Sequence, residues 1–257
     1  MIHPTALVDS KAELDDGIEI GPYCVIEKGV SIREGSRIGP HVIIREGTEI
    51  GKGCQIFQFA SIGEAPQFLG YKGEKTSLQI GHHNIIREFT TLHRGTVKGG
   101  GKTVIGNDNF FMAYSHVAHD CQIGNQVVMA NGATLGGHIL IEDYAIIGGL
   151  AAVHQFCRIG THAILSGLTG VSQDVPPYMM AAGSRARLYG LNTVGLKRHQ
   201  FSEQTIRALK KAYRIIFRSG LTLEKAVKAI KEDDIFLIKE VRHLHDFIQH
   251  SKRGISR

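Results

Sequence analysis

The stretch ALVDSKAELDDGIEIGPYCVI, residues 6–26, sets a branched aliphatic residue at Val8, Leu14, Ile20 and Ile26, one at every sixth position. The frame opens at Ile2 and continues through Ile32, Ile38, Ile44, Ile50, Ile56 and Ile62. It resumes at Ile80, Ile86 and Leu92, skips one residue, and then runs from Ile105 through Phe111, Val117, Ile123, Met129, Leu135, Ile141, Ile147, Val153, Ile159 and Leu165 to Val171. Two places before these positions the chain is mostly small, as at Ala12, Cys24, Ser36, Thr48, Ala60, Ala133 and Ala145. A six-residue unit makes one short strand and one turn. A closed tube with flat sides needs three such units, so a coil takes about eighteen residues. The pattern predicts a parallel β-helix whose coils stack roughly 4.8 Å apart, so that residues eighteen apart are vertical neighbours.

The 257 residues, 42% hydrophobic with a formal charge of +6, suffice for a substantial core. The longest apolar run, Ala145 to Val153 with Gly148 and Gly149 inside it, is too short to cross a bilayer. The repeat begins at Ile2, which leaves no room for a signal sequence, and a cytoplasmic protein is expected. Cys24, Cys54, Cys121 and Cys157 all fall on the small inward position and read as buried apolar residues rather than redox or metal groups.

Two segments break the pattern. Glu64 to Glu74 has no repeat character and reads as a loop thrown out from the coil. Thr96 to Lys102 absorbs the one-residue skip with three consecutive glycines; its Gly101-Lys102-Thr103 ending is not a phosphate-binding P-loop, because Thr96 stands where that motif needs glycine and strands follow instead of a helix. The repeat is expected to stop after Val171, ahead of Pro176 and Pro177. The period then changes. Ile206, Leu209, Tyr213, Ile216 and Phe217 form one face of a helix with Ser202 as cap and Gly220 as stop, and Arg207, Lys210, Lys211, Arg214 and Arg218 line its other face. Further helices are predicted from near Thr222 and over Asp234–Gln249. The expected division is a β-helix over 1–184 and a small helical domain over 185–257.

Histidine concentrates at His116, His119, His138 and His154, in three successive coils. Zinc would need several of these to converge, and neighbours on a strand point to opposite faces, so no metal site is expected. An acid–base site fits better: His119 falls at a corner beside Asp120, and a carboxylate partner fixes an imidazole's tautomer and raises its basicity. One coil above, Gly136-Gly137 offers a backbone N–H that could hold an oxyanion.

The runs Gln58–Glu64, His93–Thr96, His116–Cys121, Ala145–Gly149, Val153–Cys157, Gln173–Tyr178 and Gly195–Arg198 resemble the acyl-carrier-protein:UDP-N-acetylglucosamine O-acyltransferases, which open lipid A synthesis in Gram-negative bacteria. The likeness covers the whole chain. It implies a left-handed parallel β-helix with a helical tail, assembled as a homotrimer with active sites between subunits. It also implies transfer of an (R)-3-hydroxyacyl chain to the 3-position of the sugar. His119 takes the family's general-base position, Asp120 its partner and Gly137 the oxyanion donor. Gln67, His116, His138, His154 and Gln155 match residues lining the sugar-nucleotide and acyl pocket, Asn192 and Arg198 nucleotide contacts, and Gly167 the position that measures acyl length. The basic stripe Arg207, Lys210, Lys211, Arg214 and Arg218 then reads as the docking face for acidic acyl-carrier protein. No cofactor or nucleic acid is implied, the acyl chain arriving on the carrier's phosphopantetheine. Phe68, Gly70, Val194 and His199 stand where much-studied members carry aspartate, lysine, glutamate and arginine. A 3-amino sugar acceptor and an acyl-CoA donor are the alternatives.

Overall fold

The computed structural model describes all 257 residues. Short strands, mostly two residues long, stack into three flat faces. The first face holds nine strands from Leu7–Val8 to Gly170–Val171, the second eight from Glu13–Leu14 to Arg158–Ile159, and the third ten beginning at Glu19–Ile20. Pairing within each face is parallel, with Ile26 on Ile44, Ile32 on Ile50 and Ile38 on Ile56. The single exception is the last pair on the third face, Met179–Ala182 against Arg187–Leu191, which is antiparallel. The large residues of the frame fill the lumen: Ile26, Ile32, Ile44, Ile62, Leu92, Val117 and Leu135 are fully buried. The small residues between them turn the corners, and all four cysteines are buried and unpaired there. Burial raises the thiol pKa of each, Cys121 to about 12, as expected of inert packing residues.

Most corners set their third residue in the left-handed region, as at Tyr23 (φ 58°), Phe59 (φ 62°), Asp120 (φ 62°) and His138 (φ 59°). That conformation is costly for a residue with a side chain, and the hydrogen bonds between coils hold it in place. At the corner between the third and first faces the rings of Tyr23, His41, Phe59, Phe89 and Tyr114 stack with centroids 4.9–5.1 Å apart.

Vertical neighbours are eighteen apart except across the two loops and in the last coil, where Val175 lies on Ile159 and Ala181 on Leu165, sixteen apart. Ile62 pairs with Leu92 and Ile80 with Ile105, so the first loop lengthens a coil to thirty residues and the second to twenty-five. The prolines do not end the stack as expected. They sit at a corner, where no ladder donor is required, and beyond them Val175 still bridges to Ile159 and Met179–Ala182 still pairs with Ile164–Leu165. The division expected at 184/185 therefore falls inside the turn of the final hairpin, and the helices start only at Thr193.

There are four α-helices: α1 (Thr193–Arg198), α2 (Glu203–Arg218), α3 (Leu223–Lys231) and α4 (Lys239–Gln249). Ser202 caps α2 by accepting the Thr205 N–H, and Thr222 caps α3 through the Lys225 N–H. The helix predicted over Asp234–Gln249 is broken: Ile238 is extended (φ −82°, ψ 124°), leaving a 3₁₀ turn over Asp234–Leu237 before α4. Leu196, Ile206, Leu209, Ile216, Val241 and Leu244 belong to the same continuous core as the coils, so the tail is packed onto the β-helix. No helix is long and apolar enough to cross a membrane.

Candidate active site

The corner between the first and second faces carries the chemistry. His119 and Asp120 follow Val117 there; one coil on come Gly137 and His138, and two coils on Gln155 and Phe156. Adjacent side chains on a strand diverge, but these are corner residues. The left-handed turn at Asp120 swings its carboxylate back beside the preceding ring, so that the His119 Nδ1–H donates to Asp120 Oδ2 at 2.7 Å. Asp120 is 6% exposed. With Nδ1–H committed to Asp120, the neutral ring presents the Nε2 lone pair to a substrate proton.

The same turn at His138 brings its Nε2 to 3.5 Å from Asp120 Oδ2, with its ring edge-on to His119 at 5.1 Å. The registers thus converge, contrary to the expectation from strand alternation, and ligand atoms of His119, Asp120 and His138 lie within 4.8 Å of one another. Asp120 is nevertheless spent: Oδ1 accepts the Thr96 N–H at 2.7 Å, and Oδ2 accepts the Thr96 hydroxyl at 2.6 Å besides His119. A cation on Asp120 Oδ2 would compete with the hydrogen bonds from His119 and the Thr96 hydroxyl.

Gly137 is buried against His119. A Cβ there would lie 2.6 Å from His119 Cε1 and 2.9 Å from Nε2, so only glycine lets the ring lie over this backbone. Its N–H has no acceptor in the chain. The second place of a corner is outside the ladder, which is why Pro22 and Pro40 can occupy the same place elsewhere. The result is a free donor beside the imidazole.

His116 lies on the first face, bonded through Nδ1 to Thr91 Oγ1 at 2.7 Å. Beneath it His93, which sequence reasoning passed over, packs edge-on at 5.0 Å. Burial, reinforced by His116, holds the His93 imidazole down to about 4; burial likewise lowers His116 and His138. Burial thus disfavours the charged form of each of these imidazoles. The register across the second loop, twenty-five residues rather than eighteen, sets Thr91 under His116, and His93 lies two residues further along that strand. His154 and Gln155 are exposed at the same corner.

Both loops close on this corner. Arg94 Nε and Nη2 donate to the Tyr71 hydroxyl at 3.2 and 3.0 Å, tying the first loop down. Exposed Gln67 and Phe68 sit at its tip, with the Phe68 ring 5.8 Å from that of His119 and Lys98 Nζ 5.9 Å from the Phe68 ring centre. A Cβ at Gly70 would come within 2.7 Å of Phe68 Cε1 and Cζ. The aromatic residue at 68 and the missing side chain at 70 are therefore a matched pair, which sets the Phe68 ring beside His119.

The other site residues expected from the sequence are elsewhere. Gly167 is exposed at the corner between the third and first faces, where a Cβ would meet only Gly149 O, at 3.3 Å. Arg198 is exposed at the end of α1, next to His199, whose ring packs on Tyr144 and His162 at the corner between the second and third faces. Asn192, expected as a nucleotide contact, is 4% exposed; its Oδ1 accepts the Gly195 N–H to cap α1 and its Nδ2 donates to His162 O. Its side chain is committed to holding α1. Of the basic stripe on α2, Arg207 pairs with Glu203, Lys211 with Asp233, and Arg218 donates to the Tyr213 hydroxyl; Lys210 and Arg214 have no partner. A groove of about 930 Å³ near Met1 and Phe57 holds none of these residues.

Comparison with known proteins agrees along the whole chain. The family profile described as UDP N-acetylglucosamine O-acyltransferase, domain 2, matches residues 174–256, and that of the bacterial transferase hexapeptide matches 102–137. The acyl-[acyl-carrier-protein]–UDP-N-acetylglucosamine O-acyltransferase of Janthinobacterium sp. is 54% identical over 100% of this chain and 99% of its own, and that of Thermodesulfovibrio yellowstonii 55% identical with the same coverage. Among solved structures, LpxA from Acinetobacter baumannii superposes with a TM-score of 0.96 at 42% identity, covering 100% of this chain and 99% of its own. The UDP-N-acetylglucosamine acyltransferase of Francisella novicida gives 0.97 at 42% identity, covering 100% and 94%.

Proposed function

The chain belongs to the acyl-[acyl-carrier-protein]–UDP-N-acetylglucosamine O-acyltransferases, and from that premise we propose that His119 is the general base of the transfer it catalyses. In this reading the enzyme moves an (R)-3-hydroxyacyl chain from acyl-carrier protein to the 3-hydroxyl of UDP-N-acetylglucosamine, the first step of lipid A synthesis, in the cytoplasm. His119 Nε2 takes the hydroxyl proton as the oxygen attacks the thioester carbonyl. The Gly137 N–H receives the developing oxyanion, and the carrier thiolate leaves, regaining the proton from His119. The observation that carries this is the 2.7 Å bond from His119 Nδ1 to the buried Asp120, with a free N–H beside the same ring. The test is mass spectrometry of the product from 3-hydroxyacyl carrier thioesters, and separately from 3-hydroxyacyl-CoA, each offered with UDP-N-acetylglucosamine and its 3-amino analogue. An ester on the first supports the reading; an amide on the second alone, or product from acyl-CoA alone, overturns it.

A homotrimer accounts for the scatter of the remaining residues. His119, Gly167 and Arg198 belong to three different edges of the prism, and one pocket can contain all three functions only when another copy brings its own edge alongside. The exposed ring column from Tyr23 to Tyr114 is the kind of apolar edge that such packing buries.

Two outcomes are expected from this arrangement. Gly167→Met should shift donor preference toward shorter acyl chains without loss of folding, because the residue is exposed and the one close neighbour of an added Cβ is Gly149 O, at 3.3 Å. Competition between short and long donors reads this out, and an unchanged ratio would remove Gly167 from the ruler role. Reversing Lys210 and Arg214 to glutamate should raise KM for the acyl-carrier donor about tenfold at low salt, leave KM for the UDP-sugar unchanged, and flatten the salt dependence. Residues 185–257 carry 17 Lys and Arg against 7 Asp and Glu, so the tail as a whole attracts an acidic partner. Unaltered donor kinetics in the double variant would place the carrier on another surface.

A further inference from the structure

We propose that Thr96 is a positioning residue for the acyl transfer, and that the second break in the repeat exists to bring it onto Asp120. The inference rests on the reading of His119 as base.

At this corner the equivalent third place is open to solvent in other coils, as at Gly29 and Phe156, the latter 50% exposed. At Asp120 it is closed because the segment from Thr96 to Gly101 folds across it. Thr96 is itself 4% exposed and gives the carboxylate two of its three short hydrogen bonds, from N–H at 2.7 Å and from the hydroxyl at 2.6 Å. The hydroxyl's direction is settled by its other contact: Oγ1 accepts the Gly99 N–H at 3.2 Å, so its hydrogen is free for Asp120. Gly99 lies flat on the carboxylate, where a Cβ would be 2.0 Å from Asp120 Cγ. The Asp120 N–H in turn donates to Thr103 Oγ1 at 2.8 Å, just past the loop. The glycines at 100 and 101 take φ of 95° and 82°, which lets the chain turn back into the strand within so few residues.

A buried carboxylate with no lysine or arginine beside it depends on such donors. They fix which oxygen faces His119, and they draw charge away from that oxygen, limiting how strongly it stabilises the imidazolium. Thr96→Val removes the hydroxyl at nearly constant volume. It is expected to lower kcat about 10- to 100-fold, with KM for both substrates little changed. The acid limb of the kcat/KM profile should move to higher pH by about half a unit or more, because Oδ2 then serves His119 alone. Thr96→Ser should return kcat to within about threefold of wild type and restore the profile.

An unshifted acid limb and undiminished kcat in Thr96→Val overturn the proposal, as does a Thr96→Ser variant as damaged as the valine. If the valine variant does not fold, Gly99→Ala, which keeps Thr96 but sets a methyl group against the carboxylate, is expected to lose at least tenfold in kcat; wild-type turnover there overturns it too. His119→Ala in the same assay separates the two readings. Turnover retained in His119→Ala refutes the base, whereas an inactive His119→Ala with an unaltered Thr96→Val refutes only the clamp.

Discussion

His119→Ala is expected to lower kcat for acyl transfer by about 10²- to 10⁴-fold, the usual worth of a positioned acid–base group, while the protein keeps its fold. The imidazole is no part of the continuous core; it lies at a corner, and its one side-chain hydrogen bond is to Asp120. Removing it leaves the buried carboxylate still bonded to both donors of Thr96, so the stability loss is that of a single donor, about 1–3 kcal/mol. Binding of both substrates is expected to be near normal, because the base acts on the proton in flight. Steady-state kinetics with acyl-carrier thioester and UDP-N-acetylglucosamine, alongside a thermal melt, decide the matter. Turnover close to wild type in a folded variant would take the base away from His119.

Much of this site can be read before any coordinate is known. The six-residue frame places most of the inward isoleucines, Ile18 and Ile139 being exceptions at the small position, and folding by eighteen puts Gly137 directly over His119. What folding by eighteen cannot supply is the direction of corner side chains. Strand alternation predicts that His119 and Asp120 diverge, and they converge because Asp120 adopts φ 62°. The identity of an aspartate is compatible with that conformation but does not demand it: Tyr23 and Phe59 take it as well, compelled by the ladder rather than by their own preference.

The two loops are the other opaque part. Both interruptions are visible in the sequence, yet only the register Ile62 on Leu92 and Leu92 on Val117 tells how much chain each consumes. Without that count Thr91 cannot be set under His116, and the segment that holds His93 and Thr96 cannot be brought to this corner. At the far end, α1 is too short for its periodicity to register, and its cap, Asn192, reads instead as a binding residue. The break at Ile238 has no proline or glycine to announce it; Asp233 accepts the Ile235 N–H and starts a separate turn there.

Gly137→Ala isolates the geometry of the dyad from its chemistry. The glycine is not in the left-handed region, so alanine is tolerated by the backbone, and the N–H that receives the oxyanion is retained. What the methyl group meets is the ring: 2.6 Å to Cε1 and 2.9 Å to Nε2 of His119, well inside contact distance. The backbone under it is held by the His138 N–H to His119 O bond at 3.0 Å, so the side chain must yield. Tilting the imidazole away from Asp120 moves Nε2 off the line to the substrate hydroxyl, and a misplacement of about 1 Å costs on the order of 10²-fold in rate. We therefore expect Gly137→Ala to lose about 10²-fold in kcat with its melting temperature nearly unchanged. The double variant His119→Ala/Gly137→Ala should be no slower than His119→Ala alone, because the methyl group then has no ring to displace. Additive losses in that cycle would mean that Gly137 acts through the oxyanion and not through the ring, and an active Gly137→Ala would show that the imidazole does not work from the position it holds here.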